Sequence, residues 1–384
     1  MSSTRPLSGL VVIEIGHSVA APYAGMILGE LGAEVIKVEN PRGGDAARGW
    51  GPPFTEGTAT AFHAFNRSKR GIAVDLADPA AARRLRRLLA ERADVLIHNL
   101  KFGTLERYGL GPAALIAEKP SLVCCNIGAF GTQGPLRDRP GYDPMMQAYG
   151  GLMSLLGEDG RPPVRVTVSI IDMATAMWAV IGVLAKLAER RTTGLGGIVD
   201  ASLYETTLAW MSLPIAAYLA SGEMPARFGS GIEQIVPYQA FAAADGHLMV
   251  AAGNDNLFRR LAEAVGRPSL AEDPRFRSNK DRVVNRKSLV ALLEDTIASE
   301  PVAVWRARLD AAGIPNAPIR SIAEVLADAQ TTALGIVQQP PETPAGGAPT
   351  LVGLPLSLDG ARPPFSKAAP LLGEDDEAIL DPPR

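Results

Sequence analysis

The chain has 384 residues and a formal net charge of −3, from 38 Lys and Arg against 41 Asp and Glu. That length exceeds what one hydrophobic core usually serves, so two domains are expected; 47% hydrophobic and 21% charged residues are ordinary for a globular protein. No basic block is present, which leaves no electrostatic basis for binding nucleic acid or an anionic membrane.

The opening segment, MSSTRPLSGL, lacks the charged start and continuous apolar run of a signal peptide. Residues 10–15 form a β-branched run, 22–31 a helical stretch stopped by Gly32, and 34–39 (EVIKVE) a second strand. This βαβ unit predicts a doubly wound α/β domain. The turn GHSVAAP lacks the G-x-G-x-x-G spacing of a pyrophosphate turn, so Glu39 alone makes no case for NAD. Residues 41–57 are rich in Gly and Pro and read as a surface loop.

Arg67, Lys69 and Arg70 fall in a turn before a strand, a place where basic side chains can meet phosphates. Asp78 and Pro79 predict a helix start, with Asp78 as N-cap. Arg83, Arg84, Arg86 and Arg87 read as the solvated face of that helix. Residues 93–100 are the next strand, leaving Asn99, Lys101 and Arg107 near its carboxyl end, where ligands of open α/β sheets bind. Another strand is expected within 119–130, followed by the loop GAFGTQGPLRDRPG. It holds both cysteines, Cys124 and Cys125; strand neighbours point to opposite faces, so no bridge is expected. A reduced, cytoplasmic compartment fits this, and no Cys/His spacing suggests a metal.

The stretch from 139 to 203 organises the rest. The pair Tyr142 and Asp143 precedes an apolar helix, and a polar hairpin follows around 159–163. A strand-like run at 164–169 then ends in Ile170, Ile171 and Asp172, and a helix is expected from 173 to 189. A lone carboxylate at such a junction is either the helix N-cap or a reactive group; a helix N-terminus favours the ionised state that either role needs. The apolar helices here and near 207–220 read as too short, or too broken by proline, to span a bilayer.

Beyond 194–197, residues 198–217 read as apolar and largely helical, and 221–233 as a polar connection. A second module starts near 235, with strands around a turn at Asp245 and Gly246, a loop at Gly253, Asn254 and Asp255, and helices at 256–265, 286–299, 301–312 and 322–329. The tail from 338 has no core of its own.

Several segments together carry a likeness: LSGLVVIEIGHSVAAPYAGMILGELGAEVIKVE, FNRSKRGIAVDL, ADVLIHNLKFGTLERYGLG, GYDPMMQAYGGLMSLLGEDGRPPVRV, SIIDMATAMWAVIGVLAKLAERRTTGLGGIVDASL, and IVPYQAF followed by ADGHLMVAAGND. Over nearly its whole length the sequence resembles the class III CoA-transferases of the CaiB/BaiF type. No single piece is decisive; their order and spacing are specific. The resemblance implies an α/β fold with a doubly wound, Rossmann-like large domain built from both chain ends, a smaller α+β domain, and an interlocked homodimer. The matching boundaries are 1–197 for the first part of the large domain, 198–233 for a linker, 234–325 for the small domain, and 326–384 for the returning part.

The activity so implied moves CoA from an acyl-CoA donor to an acceptor carboxylate, through an aspartyl mixed anhydride and an aspartyl-CoA thioester, with no permanently bound cofactor. The family's nucleophile falls on Asp172. Its CoA-binding positions fall on His17, Ser18, Val19 and Ala20, on Val74, Asp75 and Leu76, and on Asn99, Leu100 and Arg107, with Arg107 as phosphate partner. Tyr142 and Asp143 match the segment near the thioester, and Gly253 and Asn254 a mobile loop that is less glycine-rich here than in some members. Asn40 stands where some members have arginine, and Arg42 is the candidate to replace it. A racemase of the same fold would need a histidine at position 142, where this chain has tyrosine, a poor base at neutral pH. A non-catalytic CoA-binding protein would have lost Asp172. The stretch IVPYQAF looks most like members acting on dicarboxylates such as succinate, with Arg165 the residue to weigh as a contact for a distal carboxylate against an exposed strand arginine.

Overall fold

The computed structural model describes residues 5–341 and 348–381. The first four residues of the opening segment and parts of the expected tail, 342–347 and 382–384, lie outside the described residues. The chain divides into two compact units: Met1–Gly151 with Val166–Met211 and Ala329–Arg384, and Leu152–Arg165 with Ser212–Asp328.

The first unit is built on a six-stranded parallel sheet. Its strands are β1 (Val11–Ile15), β2 (Glu34–Glu39), β3 (Lys69–Ala73), β4 (Val95–His98), β5 (Val123–Gly128) and β6 (Gly197–Ser202). They lie in the order β3-β2-β1-β4-β5-β6. The order reverses between β1 and β4, the switch point at which doubly wound sheets open a crevice outside their strand ends. Sequences such as VVIEI and VLIH are nearly continuous in apolar residues because both faces of such a sheet are covered. On one face Ile13, Ile15, Leu96 and Cys124 belong to a core closed by α2 (Pro79–Arg92). Asp78 caps that helix, accepting from Ala80 N at 2.9 Å, and Arg83, Arg84 and Arg87 lie on its exposed side. Both cysteines are buried and free.

The charged residues inside this sheet are not solvated. Lys37 donates to Glu14 Oε1 at 3.1 Å and to Asp45 Oδ2 at 3.0 Å, and Lys69 pairs with Glu14 Oε2 at 2.6 Å, all fully buried. Helix α1 (Ala20–Glu30) covers this network, and Gly25 is required there: a Cβ would collide with Glu14 Oε2. Arg67 pairs with buried Glu30, and Arg70 with Glu34 and Asp375. The expected phosphate contacts from Arg67, Lys69 and Arg70 are therefore corrected; these side chains neutralise carboxylates within the fold. The returning segment blunts the sheet edge: Gly71 N donates to Asp375 Oδ2 at 2.9 Å and Ala73 N to Asp376 Oδ1 at 2.7 Å.

Three further expectations change. Residues 198–233 are not a linker, because they contain strand β6 and two helices, Leu203–Trp210 and Ser212–Ser221. GIVDAS alternates along a half-covered edge strand, with Ile198 and Asp200 exposed, and the apolar run after it masked this period of two. Residues 164–169 form no strand. The following helix is Ile170–Thr193, 24 residues long and apolar enough to cross a bilayer, contrary to the shorter helix expected. Here it packs across β5 and β6 as a core helix, burying Ala174, Ala179 and Val183.

The second unit contains a three-stranded antiparallel sheet, with β7 (Tyr238–Ala243) and β8 (Gly246–Ala251) as a hairpin and β9 (Asn316–Pro318) beside β8. Helices Asp255–Ala264, Arg286–Ile297 and Val302–Ala311 close its core around Phe241, Phe258 and Trp305. Residues 152–165, expected in the large domain, cluster with this unit.

Candidate active site

Two clefts open along the carboxyl ends of the parallel strands. One is lined by Gly16 and His17 after β1, Glu39 and Asn40 at the end of β2, and Val74, Asp75 and Leu76 after β3. The other is lined by Ser18, Val19 and Ala20, by His98, Asn99 and Lys101, and by Tyr142 and Asp172. His17 and Leu100 border both clefts, so together they make one groove across the sheet edge.

The loop after β1 has a demanding backbone. Ser18 adopts φ +67°, in the left-handed region that disfavours side chains. It is held there by Asp45, whose Oδ1 accepts from Ser18 N and from Ala47 N, each at 2.9 Å. Lys37 grips the same loop from below by donating to Gly16 O at 2.9 Å. Asn99 clamps His17, accepting from its N at 3.0 Å and donating to its O at 2.8 Å. Burial pushes the His17 imidazole below its ordinary pKa, against the opposing pull of Asp45. The loop leads into α1, whose N-terminus has no side-chain cap and whose N-cap residue Val19 and first residue Ala20 line the cleft; a helix N-terminus favours negative charge.

Asp172 lies in the first turn of helix Ile170–Thr193, two residues inside its start, and is not the N-cap, which is Ser169. The capping work is done from outside. Asp143 Oδ2 accepts from Ile171 N at 2.7 Å and from Asp172 N at 3.2 Å. Gln147 fixes Asp143 by donating from Nε2 to its Oδ1 at 2.6 Å, and holds the approach to the helix through Val166, with Val166 N donating to Gln147 Oε1 at 2.9 Å. The half-buried Asp172 carboxyl group therefore faces the cleft with no hydrogen bond to its oxygens among the described residues. Burial first, and then the Asp143 charge, push its pKa up to about 7, so the expectation of a carboxylate held ionised by the helix terminus is corrected. The N–H groups that would have stabilised its charge serve Asp143 instead.

The other expected residues fall in different places. Asp143 is buried and lines neither cleft, while Tyr142 is exposed at the mouth of the Asp172 cleft. Arg107 also lines neither: it is exposed and donates to Thr104 Oγ1 at 3.2 Å in its own turn. The cations that do line the Asp172 cleft are Lys101, Arg137 and Arg139, the last two in a loop whose sequence gave no pattern to single them out. Arg42 and Asn40 line the other cleft, where Arg42 pairs with Asp75 at 3.0 Å. Glu39 is buried and engaged by Arg48 at 2.7 Å, leaving no free carboxylate for a ribose. Gly253, Asn254 and Arg165 belong to the second unit; Asn254 caps a helix, accepting from Leu257 N at 2.9 Å, and Arg165 is exposed and in no strand. No cluster of metal-binding side chains occurs among the described residues.

Comparison with known proteins agrees with this architecture. The family model described as CoA-transferase family III matches residues 7–376. Succinyl-CoA:glutarate CoA-transferase of Mus musculus is 36% identical over 378 residues, covering 98% of this chain and 86% of that protein. Succinate–glutarate CoA-transferase of Agrobacterium fabrum is 36% identical over 386 residues, covering 98% of this chain and 95% of that one. A crystal structure of a CaiB/BaiF family protein from Brucella suis superposes with a TM-score of 0.86 at 39% identity, covering 99% of this chain and all of that one. A doubly wound sheet, a groove along its strand ends, and relatives matching end to end lead to one conclusion: this chain is a CoA-transferase, a member of CoA-transferase family III.

Proposed function

We propose that Asp172 is the nucleophile of this CoA-transferase. The observation that carries the proposal is a cleft-facing carboxyl group whose helix-terminal N–H groups are satisfied by Asp143. Raised basicity and free lone pairs make such a carboxylate a stronger nucleophile than a solvated or capping one. Asp172 attacks the thioester carbonyl, the C–S bond breaks, and a mixed anhydride and CoA thiolate result. The thiolate attacks the aspartyl carbonyl, the anhydride C–O bond breaks, and the donor acid leaves an aspartyl-CoA thioester. The acceptor carboxylate repeats the sequence in reverse and departs as the new acyl-CoA. No proton need be gained or lost across the exchange, and the thioester energy is kept.

In this reading CoA lies along the groove, its nucleotide end near Val74, Asp75 and Leu76 and its thioester at Asp172, passing His17, Ser18, Val19, Ala20, Asn99 and Leu100. Lys101, Arg137, Arg139 and Arg42, rather than Arg107, are the cations available to its phosphates or to the acid. Relatives named for succinate and glutarate favour dicarboxylates as substrates. The decisive test is trapping. Enzyme incubated with succinyl-CoA and then hydroxylamine is expected to carry a hydroxamate on Asp172, located by peptide mass spectrometry, with activity lost in parallel. No acyl-CoA-dependent adduct, with transfer still measurable, would overturn the assignment.

The active species in this proposal is an interlocked homodimer. Met177, Trp178 and Ile181 are each about half exposed on helix Ile170–Thr193, an apolar surface that suits a second copy. Light scattering at micromolar concentration is expected to give a dimer mass; an active monomer would contradict this.

A further inference from the structure

His98, the last residue of β4, lines the Asp172 cleft although it is only 7% exposed, and neither of its ring nitrogens makes a hydrogen bond among the described residues. Its register neighbour on β5, Asn126, lines the same cleft. Asn126 Nδ2 donates to Asp200 Oδ1 at 2.7 Å across to β6, while the buried Oδ1 is left without a partner. Asn126 sits close enough to favour a protonated ring, yet no hydrogen bond joins the two side chains, and the ring nitrogens and Asn126 Oδ1 all stay without a partner among the described residues. Burial is the dominant influence and holds the imidazole pKa below its ordinary value.

The neutral ring offers one N–H donor and one acceptor, beside an amide oxygen that only accepts. Asn126 Oδ1, Asp200 and Glu106 all oppose an anion here, so neither a carboxylate nor a phosphate suits the spot. A secondary amide does suit it, because it presents one acceptor and one donor together. Location adds a second argument. The ends of β1, β2 and β3 line the cleft assigned above to the nucleotide, and Asp172 sits on the helix that packs across β5 and β6. The ends of β4 and β5 lie on the path between, where a bound acyl-CoA extends its amide-bearing pantetheine arm.

We propose that His98 and Asn126 bind a secondary amide of the pantetheine arm, with the imidazole N–H donating to the amide oxygen and Asn126 Oδ1 accepting its N–H. This rests on CoA following the groove to Asp172. His98→Phe is expected to raise KM for acyl-CoA about tenfold, the loss falling on that KM rather than on kcat or on the acceptor's KM. His98→Gln keeps a donor and an acceptor and is expected to recover most of it. An acyl-CoA analogue with that arm amide replaced by an ester keeps the carbonyl and loses the N–H, so it should bind the wild type more weakly through loss of the Asn126 contact, and His98→Phe should weaken it further by about the same factor as it weakens the amide. A folded His98→Phe with unchanged KM, or with the loss on the acceptor acid, would overturn the proposal. If His98→Phe does not fold, a wild type indifferent to the analogue overturns it equally. CoA affinity by titration calorimetry needs no covalent step, so failure of hydroxylamine trapping with these shifts intact would count against Asp172 alone.

Discussion

Asp172→Asn is expected to abolish CoA transfer while raising thermal stability. The activity side follows from covalent catalysis: an amide does not attack a thioester, and loss of a nucleophile costs about 10⁴-fold or more in kcat. The stability side follows from the environment. The folded protein holds this carboxyl at a pKa of about 7, against an ordinary value of 3.8 for a free aspartate, so folding disfavours its ionised form. For an acid whose folded pKa is raised, the destabilisation is full above the folded value, shrinks as pH falls through that value, and is gone below the unfolded one. Asn carries no charge, so its advantage should be present above pH 7 and vanish near pH 4. Allowing for the group's partial exposure to the cleft, Tm at pH 8 should rise by roughly 2–4 °C. Assay and thermal denaturation on the same samples check both halves. Activity above about a tenth of wild type would sink the nucleophile assignment; inactivity with a lower Tm would point to simple structural damage.

Asp143→Asn is expected to slow transfer about 10- to 100-fold and to move the pH profile. Asp143 acts through Asp172, so it is a positioning residue. Its two oxygens accept from three groups: Gln147 Nε2, Ile171 N and Asp172 N. An amide at that position sets one N–H donor group against another, whichever way it is turned, and the first helical turn loses its grip. The charge effect has a definite sign. Asp172 must be ionised to attack, so wild-type kcat/KM should fall as pH falls through about 7. Asp143 is one of two causes of that raised value, so removing its charge should shift the midpoint to lower pH. A pH–rate profile separates the roles: a slower enzyme with an unmoved midpoint would mean that Asp143 is purely structural.

Much of this protein was legible in its sequence. The βαβ opening, the capping Asp78 and Pro79, and the hairpin near Asp245 all came from local patterns, and local patterns suffice where apolar periodicity and turn chemistry act within a few residues. The site was legible in part. Asp172 stood out as a costly lone carboxylate, and Asn99 and Lys101 lay near a strand end where doubly wound sheets bind ligands. Strand β6 was missed because its alternation is short and the apolar residues after it belong to a helix.

The sequence by itself determined the fold class, the family, and which acid to suspect, because those depend on the order of strands, helices and motifs along the chain. Tertiary structure alone decided what each charge does. Lys69 and Arg67 looked available to a phosphate, but Glu14 and Glu30, far away in sequence, pair with them in the interior. Asp172 looked like a cap, but Asp143, 29 residues earlier, takes its helix N–H and leaves it free. Arg107 looked aimed at the ligand and instead bonds within its own turn. In each case a charged group's state depends on partners and solvent exclusion within a few ångströms, and neighbours at that distance come from segments that the linear chain keeps apart.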